Sequence, residues 1–110
     1  MKFSEYQKLA VVTKKPWASK DMEMAYCGLG LAGETGETVD MLKKHLSGSK
    51  PIDADVREKL KYEIGDVMWY IASLCDCMDF DMDEVAEMNI DKLRKRHGGS
   101  YSGYGKRDGK

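Results

Sequence analysis

From Val56 to Met78 the apolar residues Val56, Leu60, Ile64, Val67, Ile71, Leu74 and Met78 recur in steps of four, four, three, four, three and four. That rhythm draws one continuous stripe along an α-helix, and a strand cannot produce it. It predicts a helix starting near Asp53 or Asp55 and ending near Asp79. No other stretch alternates clearly, and the chain has only two prolines, Pro16 and Pro51. An all-α domain is therefore expected. A first helix is predicted from Ser4 to Lys15, with Ser4 and Gln7 in capping-box spacing and Pro16 as the stop. A second should run from Ser19 or Lys20 to Leu46, closed by Ser47-Gly48-Ser49-Lys50-Pro51. A fourth should start at Asp83 as N-cap and reach about His97, carrying Val85, Met88 and Leu93. The run from His97 to Lys110 holds five glycines in fourteen residues. Residues 98–110 are therefore read as a Gly-rich tail on a domain spanning 1–97.

A chain of 110 residues is one domain. With 42% hydrophobic and 34% charged residues it should fold and stay soluble. Eighteen Lys+Arg against nineteen Asp+Glu leave a formal charge of -1, which gives no strong attraction to nucleic acid or to a membrane. No run approaches the ~20 apolar residues of a membrane span, and the N-terminus lacks the apolar core of a secretory signal. Cys27, Cys75 and Cys77 are odd in number, and CDC is not a CxxC pattern. They read as reduced packing residues of a cytoplasmic protein. Late in the chain, Asp76 to Asp91 holds seven acids and no base, and Lys92 to Lys110 holds seven bases and one acid. An acidic helix start and a basic helix end suit the helix dipole.

The chemistry concentrates in the two middle helices. The second contains GLGLAGETGET, with Gly28, Gly30, Gly33 and Gly36 inside one predicted helix. At about 100° per residue, Gly30, Gly33, Glu34, Glu37, Met41 and Lys44 share a face. Leu31, Leu42 and Leu46 share another, expected to face the core. Two carboxylates one turn apart thus sit on a face cleared by glycines, where a helix or a ligand can come close. The third helix contains YEIGDVMWY, in which Glu63 and Asp66 are again one turn apart and Tyr70 follows on the same side. If the helices pack antiparallel, four carboxylates converge, and their repulsion calls for cations. All-oxygen ligands favour a hard ion, Mg2+ or Mn2+. A di-iron centre would want Glu-x-x-His pairs. Leu42 and Arg94 occupy the places three before His45 and His97, so iron chemistry is rejected. Acid pairs at this spacing also occur on solvated faces, as Glu84 and Glu87 do in a first helical turn. On the fourth helix Asn89, Lys92 and Arg96 share a face suited to a polyphosphate. A solvated basic helix end is the plainer reading of them. Lys44 could reach the same phosphate from the other side.

ExxE (Glu34, Glu37), 25 intervening residues and ExxD (Glu63, Asp66) resemble the all-α nucleoside triphosphate pyrophosphohydrolases of the MazG-like group. The resemblance extends to YQxxA (Tyr6, Gln7, Ala10), LGLAGETGE, EIGDVMWYIA, and NIDKLRKRH followed by Tyr101-Ser102. It covers the chain from about Phe3 to Ser102, departing from the common pattern at the GGSY stretch after His97. It implies a four-helix-bundle-like fold assembled as a homo-oligomer, with Mg2+ (or Mn2+) on Glu34, Glu37, Glu63 and Asp66. It implies hydrolysis of a (d)NTP to a monophosphate and pyrophosphate, with Lys44, Asn89, Lys92 and Arg96 facing the phosphates. Trp17 and Tyr70 would flank the base or sugar. The alternatives are a non-catalytic helical dimerisation module, and the same fold acting on another pyrophosphate-bearing nucleotide. The oligomer, a dimer or a tetramer, also follows from the third helix. Trp69 lies about 180° from the apolar stripe, with Tyr62 and Ala72 near it. A helix apolar on two sides needs more cover than one small chain offers, unless helix one folds back over Trp69.

Overall fold

The computed structural model describes residues 1–49 and 51–97. They form four helices, α1 (Phe3–Val11), α2 (Lys20–Leu46), α3 (Ala54–Cys77) and α4 (Met82–His97), with no strand among the described residues. The tail read over 98–110 lies outside them.

The long helices begin where side chains can cap them. Ser19 Oγ accepts from the Met22 N–H at 3.1 Å, and Asp53 Oδ1 accepts from the Val56 N–H at 2.9 Å. Each satisfies one donor that the first turn leaves without an intrahelical partner. Both helices end alike. Gly48 is left-handed at φ 82°, with its N–H on His45 O at 3.0 Å and that of Ser49 on Lys44 O at 3.1 Å. Asp79 is left-handed at φ 60°, with its N–H on Asp76 O at 3.1 Å and that of Phe80 on Cys75 O at 2.7 Å. Such paired bonds use up the last carbonyls and turn the chain sharply back.

Two expected caps are elsewhere. α1 starts at Phe3 and stops at Val11 rather than running from Ser4 to Lys15, and the Glu5 carboxylate accepts from the Lys2 N–H at 2.8 Å. The Gln7 amide is taken by a longer-range job. Its Nε2 donates to Phe80 O at 2.8 Å, and its Oε1 accepts from the Met82 N–H at 3.0 Å, which clamps the α3–α4 turn. Asp83 is not the α4 N-cap. Asp81 Oδ1 accepts from the Asp83 N–H at 2.9 Å, while the Asp83 carboxylate accepts from the Ser4 N–H at 3.3 Å.

α2 and α3 run antiparallel, since Lys20 at the start of α2 reaches Cys77 O at the end of α3, while Tyr26 and Cys27, farther along α2, meet Tyr70 and Ser73, farther back on α3. The seam is made of small side chains: Cys27, Ser73 and Cys77 are all buried. Small residues let two helix axes come close, so backbone and Cβ atoms supply much of the contact. α1 lies across the other side of α3. There Ala10, Ala72, Cys75 and Met82 form a buried cluster, against which Tyr6 and Trp69 pack. The Trp69 indole N–H is shared between Ala10 O at 3.1 Å and Thr13 Oγ1 at 2.8 Å. After α1, Lys14 pairs with Glu23 of α2 and, at 2.6 Å, with Asp76 of α3, tying three segments together.

This packing departs from the expected sidedness of α3. Trp69 is covered within the chain, by α1. The long apolar stripe is only partly covered by the chain: Val56, Leu60, Val67 and Leu74 are half-buried, while Ile64 at 50%, Ile71 at 37% and Met78 at 40% are exposed. Leu42 and Leu46 of α2 are exposed as well. Periodicity identifies the apolar faces of a helix but not which one its own chain covers, and the covered side here joins the small residues Ala72, Ser73, Cys75 and Cys77 to Trp69.

Candidate active site

Halfway along the α2–α3 pair the small-residue seam gives way to acids. Glu34, Glu37 and Glu63 each offer a carboxylate oxygen, and these oxygens lie within 4.8 Å of one another. Glu34 and Glu63 are half-buried and Glu37 is exposed. Oε1 of Glu34 and Oε1 of Glu63 are both shut off from solvent and have no hydrogen-bond partner. Desolvation, then the negative charge of the neighbouring Glu37, pushes Glu34 up to about 6, with Asp66 and Glu63 adding to the effect. Desolvation and Glu37 likewise raise Glu63. Such a cluster holds a proton, or takes a cation in its place. Orphaned oxygens at this spacing fit a hard divalent ion. Asp66 stands outside this close trio and is exposed, yet its charge reaches Glu34, Glu63 and, on the α1 side, Tyr6.

Aromatic rings lie on the N-terminal side of the acids along α2. Trp17 packs on Tyr26 with centroids 4.6 Å apart, Tyr26 on Tyr70 at 5.8 Å, and Tyr70 edge-on to Trp69 at 5.0 Å. The two tyrosine hydroxyls are 3.2 Å apart. This bond and burial push Tyr70 up to about 12. The Lys15 ammonium sits 4.7 Å above the Trp17 ring. The Tyr70 ring fills the space over Gly30, where an added Cβ would stand 2.1 Å from its Cε1. The Gly30 clearance thus admits a ring of the same chain, one turn before Glu34. A Cβ on Gly33 or Gly36 would meet nothing within 4 Å.

On the C-terminal side of the acids, Lys44 pairs with Asp40 at 2.9 Å and lines a cleft of about 320 Å³ that Glu63 also lines. Asn89, Lys92 and Arg96 are exposed on α4, which packs against α1. The Gln7 clamp and the Lys14 triad were missed from the sequence. Neither leaves a local signal, because the Gln7 partners and the Asp76 partner of Lys14 lie 62 to 75 residues away, and the other Lys14 partner, Glu23, is on α2.

Two antiparallel helices that converge carboxylates on one point define a class, all-α proteins with an acidic cluster of a kind that could take a cation by oxygen. Residues 25–99 match the family model of the MazG nucleotide pyrophosphohydrolase domain, and the chain belongs to that family. Among curated proteins it is similar to the Gene 37 protein of Mycobacterium phage L5, 38% identical over 74 residues, which is 66% of this chain and 65% of that protein. The chain thus spans less than two-thirds of that relative's length. No solved structure matches.

Proposed function

We propose that this protein is a Mg2+-dependent nucleoside triphosphate pyrophosphohydrolase that cleaves (d)NTP to (d)NMP and pyrophosphate. The observation that carries the reading is the carboxylate trio with its two solvent-shielded, unpartnered oxygens. Glu34, Glu37, Glu63 and, from the edge, Asp66 would hold Mg2+, or Mn2+ in its place. When bound, such an ion neutralises charge on phosphoryl oxygens and lowers the pKa of a coordinated water. The chain supplies the rest. The carboxylates fix the position of the reaction, and the shielded side of the cluster keeps bulk water from Glu34 and Glu63. Lys44, Asn89, Lys92 and Arg96 are assigned to the phosphates, and Trp17 and Tyr70 to the base or sugar side. Tyr70 would act there through its packing, since its ring already rests on Gly30 and against Tyr26 and Trp69. No helix among the described residues is long and apolar enough to cross a membrane, and a cytoplasmic setting is proposed. A homo-oligomer is also proposed, but with its interface on the outward α3 stripe of Ile64 and Ile71 rather than on Trp69.

Product analysis with the eight common nucleoside triphosphates and Mg2+ tests the activity. The expected products are a monophosphate and pyrophosphate in equal amounts. Glu37→Gln and Glu63→Gln should lose most turnover at unchanged helical content. A diphosphate plus orthophosphate, or full activity in excess EDTA, would refute the assignment.

A further inference from the structure

A cleft opens beyond the acids, between the second half of α2 and the first half of α3. It is walled by Met41 and Lys44 of α2, by Pro51, and by Asp55, Val56, Lys59, Tyr62 and Glu63 of α3, so two ammonium groups and two carboxylates line it. Its volume of about 320 Å³ is at the small end of ligand-sized cavities. Glu63 belongs at once to this cleft and to the carboxylate trio, so the two are one continuous site. The cleft brings two ammonium groups from facing helices to the same opening. Each is held by a carboxylate one turn away on its own helix, Lys44 by Asp40 at 2.9 Å and Lys59 by Asp55 at 3.1 Å. All four side chains are half exposed or more, so these pairs are worth little and yield to a stronger anion.

The order of chemistry along α2 supplies the direction. Tyr26 and Gly30, with the Trp17 and Tyr70 rings, come first; Glu34 and Glu37 follow; Met41 and Lys44 come last. Aromatic and acidic sections are separated by about 12 Å and acidic and basic ones by about 10 Å, at 1.5 Å rise per residue. A nucleoside triphosphate has the same order of parts, a ring, a scissile anhydride that wants metal, and a terminal diphosphate that wants cations.

We infer that the Lys44–Lys59 cleft is the seat of the β,γ-diphosphate, with Lys59 a phosphate-binding residue and the nucleoside directed towards the aromatic end. The inference rests on the hydrolase reading for its substrate. On cleavage of the α–β anhydride, water's oxygen goes to the α-phosphorus and the bridging oxygen leaves with the diphosphate. The cleft then holds the product pyrophosphate, while the monophosphate stays on the other side of the acids.

Calorimetric titration of inorganic pyrophosphate, and separately of a deoxynucleoside monophosphate, into the Mn2+-loaded protein tests this without turnover. Lys59→Ala should weaken pyrophosphate binding roughly tenfold, as loss of a charge-assisted hydrogen bond does. Lys59→Arg should restore it, and monophosphate binding should be unchanged in both. Lys59 is exposed and outside the packed seam, so the variants keep the fold. Equal pyrophosphate affinity in wild type and Lys59→Ala, no pyrophosphate binding by wild type, or a parallel loss for the monophosphate would overturn the inference. Failure of the hydrolase reading has a different signature, a wild-type protein that releases pyrophosphate from no nucleoside triphosphate.

Discussion

Gly30→Ala should damage this protein although alanine is the better helix former. The new Cβ would lie 2.1, 2.4 and 2.5 Å from Cε1, Cζ and Cδ1 of Tyr70, where ordinary contact begins near 3.4 Å. The ring must therefore retreat by about 1 Å or the helices must part. Neither is easy, since the ring stands edge-on to Trp69 and its hydroxyl is bound to Tyr26. Overpacking of this kind costs about 1–3 kcal/mol. Weakening an aromatic pair or the hydroxyl bond adds about 1 kcal/mol. The helix-propensity gain returns about 1 kcal/mol. A net loss of about 2 kcal/mol follows, a fall in Tm on the order of 10 °C for a domain of this size. Gly36→Ala is the control. Its Cβ meets nothing within 4 Å, so it should gain about 1 kcal/mol. Urea unfolding followed by circular dichroism measures both. In a Tyr70→Ala background the Gly30→Ala penalty should vanish and become a gain. A Gly30→Ala protein as stable as wild type, or a penalty that survives Tyr70→Ala, would refute the close-packing argument.

Other perturbations reach different parts of the molecule. Glu34 is raised to about 6, so the folded metal-free protein binds a proton that the unfolded chain releases nearer its ordinary value. Its contribution to stability is thus present at low pH and lost as pH rises through about 6. Urea midpoints in EDTA should show that loss in wild type and a flatter profile in Glu34→Gln; identical profiles would contradict it. Trp69→Ala removes the indole contacts to Ala10 and Thr13 and should cost about 3 kcal/mol, with α1 becoming the first segment cut in limited proteolysis. Ile64→Asp places a charge on the outward stripe of α3. Light scattering should find it monomeric where wild type is a larger particle, and a wild type of monomer mass would remove the oligomer.

The sequence carried the helices well wherever a cap is local. Ser19 and Asp53 act on the N–H three residues later, so the starts of α2 and α3 were legible within a residue or two. The Ser4–Gln7 pattern misled because a glutamine amide has both a donor and an acceptor, and the α3–α4 turn claims both. The meeting of Glu34, Glu37 and Glu63 was legible because antiparallel pairing needs only the turn after Leu46 to bring them opposite one another, whereas Asp66, expected with them, stands outside the trio. The sides of α3 were not. A large indole was expected to seek another chain, yet nine residues of α1 supply a carbonyl and a small surface that satisfy it. Lys59 went unnoticed because, alone on a helix, it looks like any solvated lysine, and Tyr62 reads only as part of the Trp69 face. Only Met41 and Lys44 opposite them make a cleft.

The placement of the thiols offers a way to watch this molecule breathe. Cys27 and Cys77 lie in the α2–α3 seam, bonded to Ser73 Oγ and Lys20 O, whereas Cys75 belongs to the cluster under α1. All three are buried and unpaired, and burial raises the pKa of Cys75 and Cys77, which starves them of thiolate. An alkylating reagent therefore waits for the helices to separate before it can react. The rate at Cys75 clocks the lifting of α1, and the rates at Cys27 and Cys77 clock the opening of the hairpin itself. If Glu34 and Glu63 hold a divalent ion, its binding should slow the Cys27 and Cys77 clocks and leave the Cys75 clock running at its own pace.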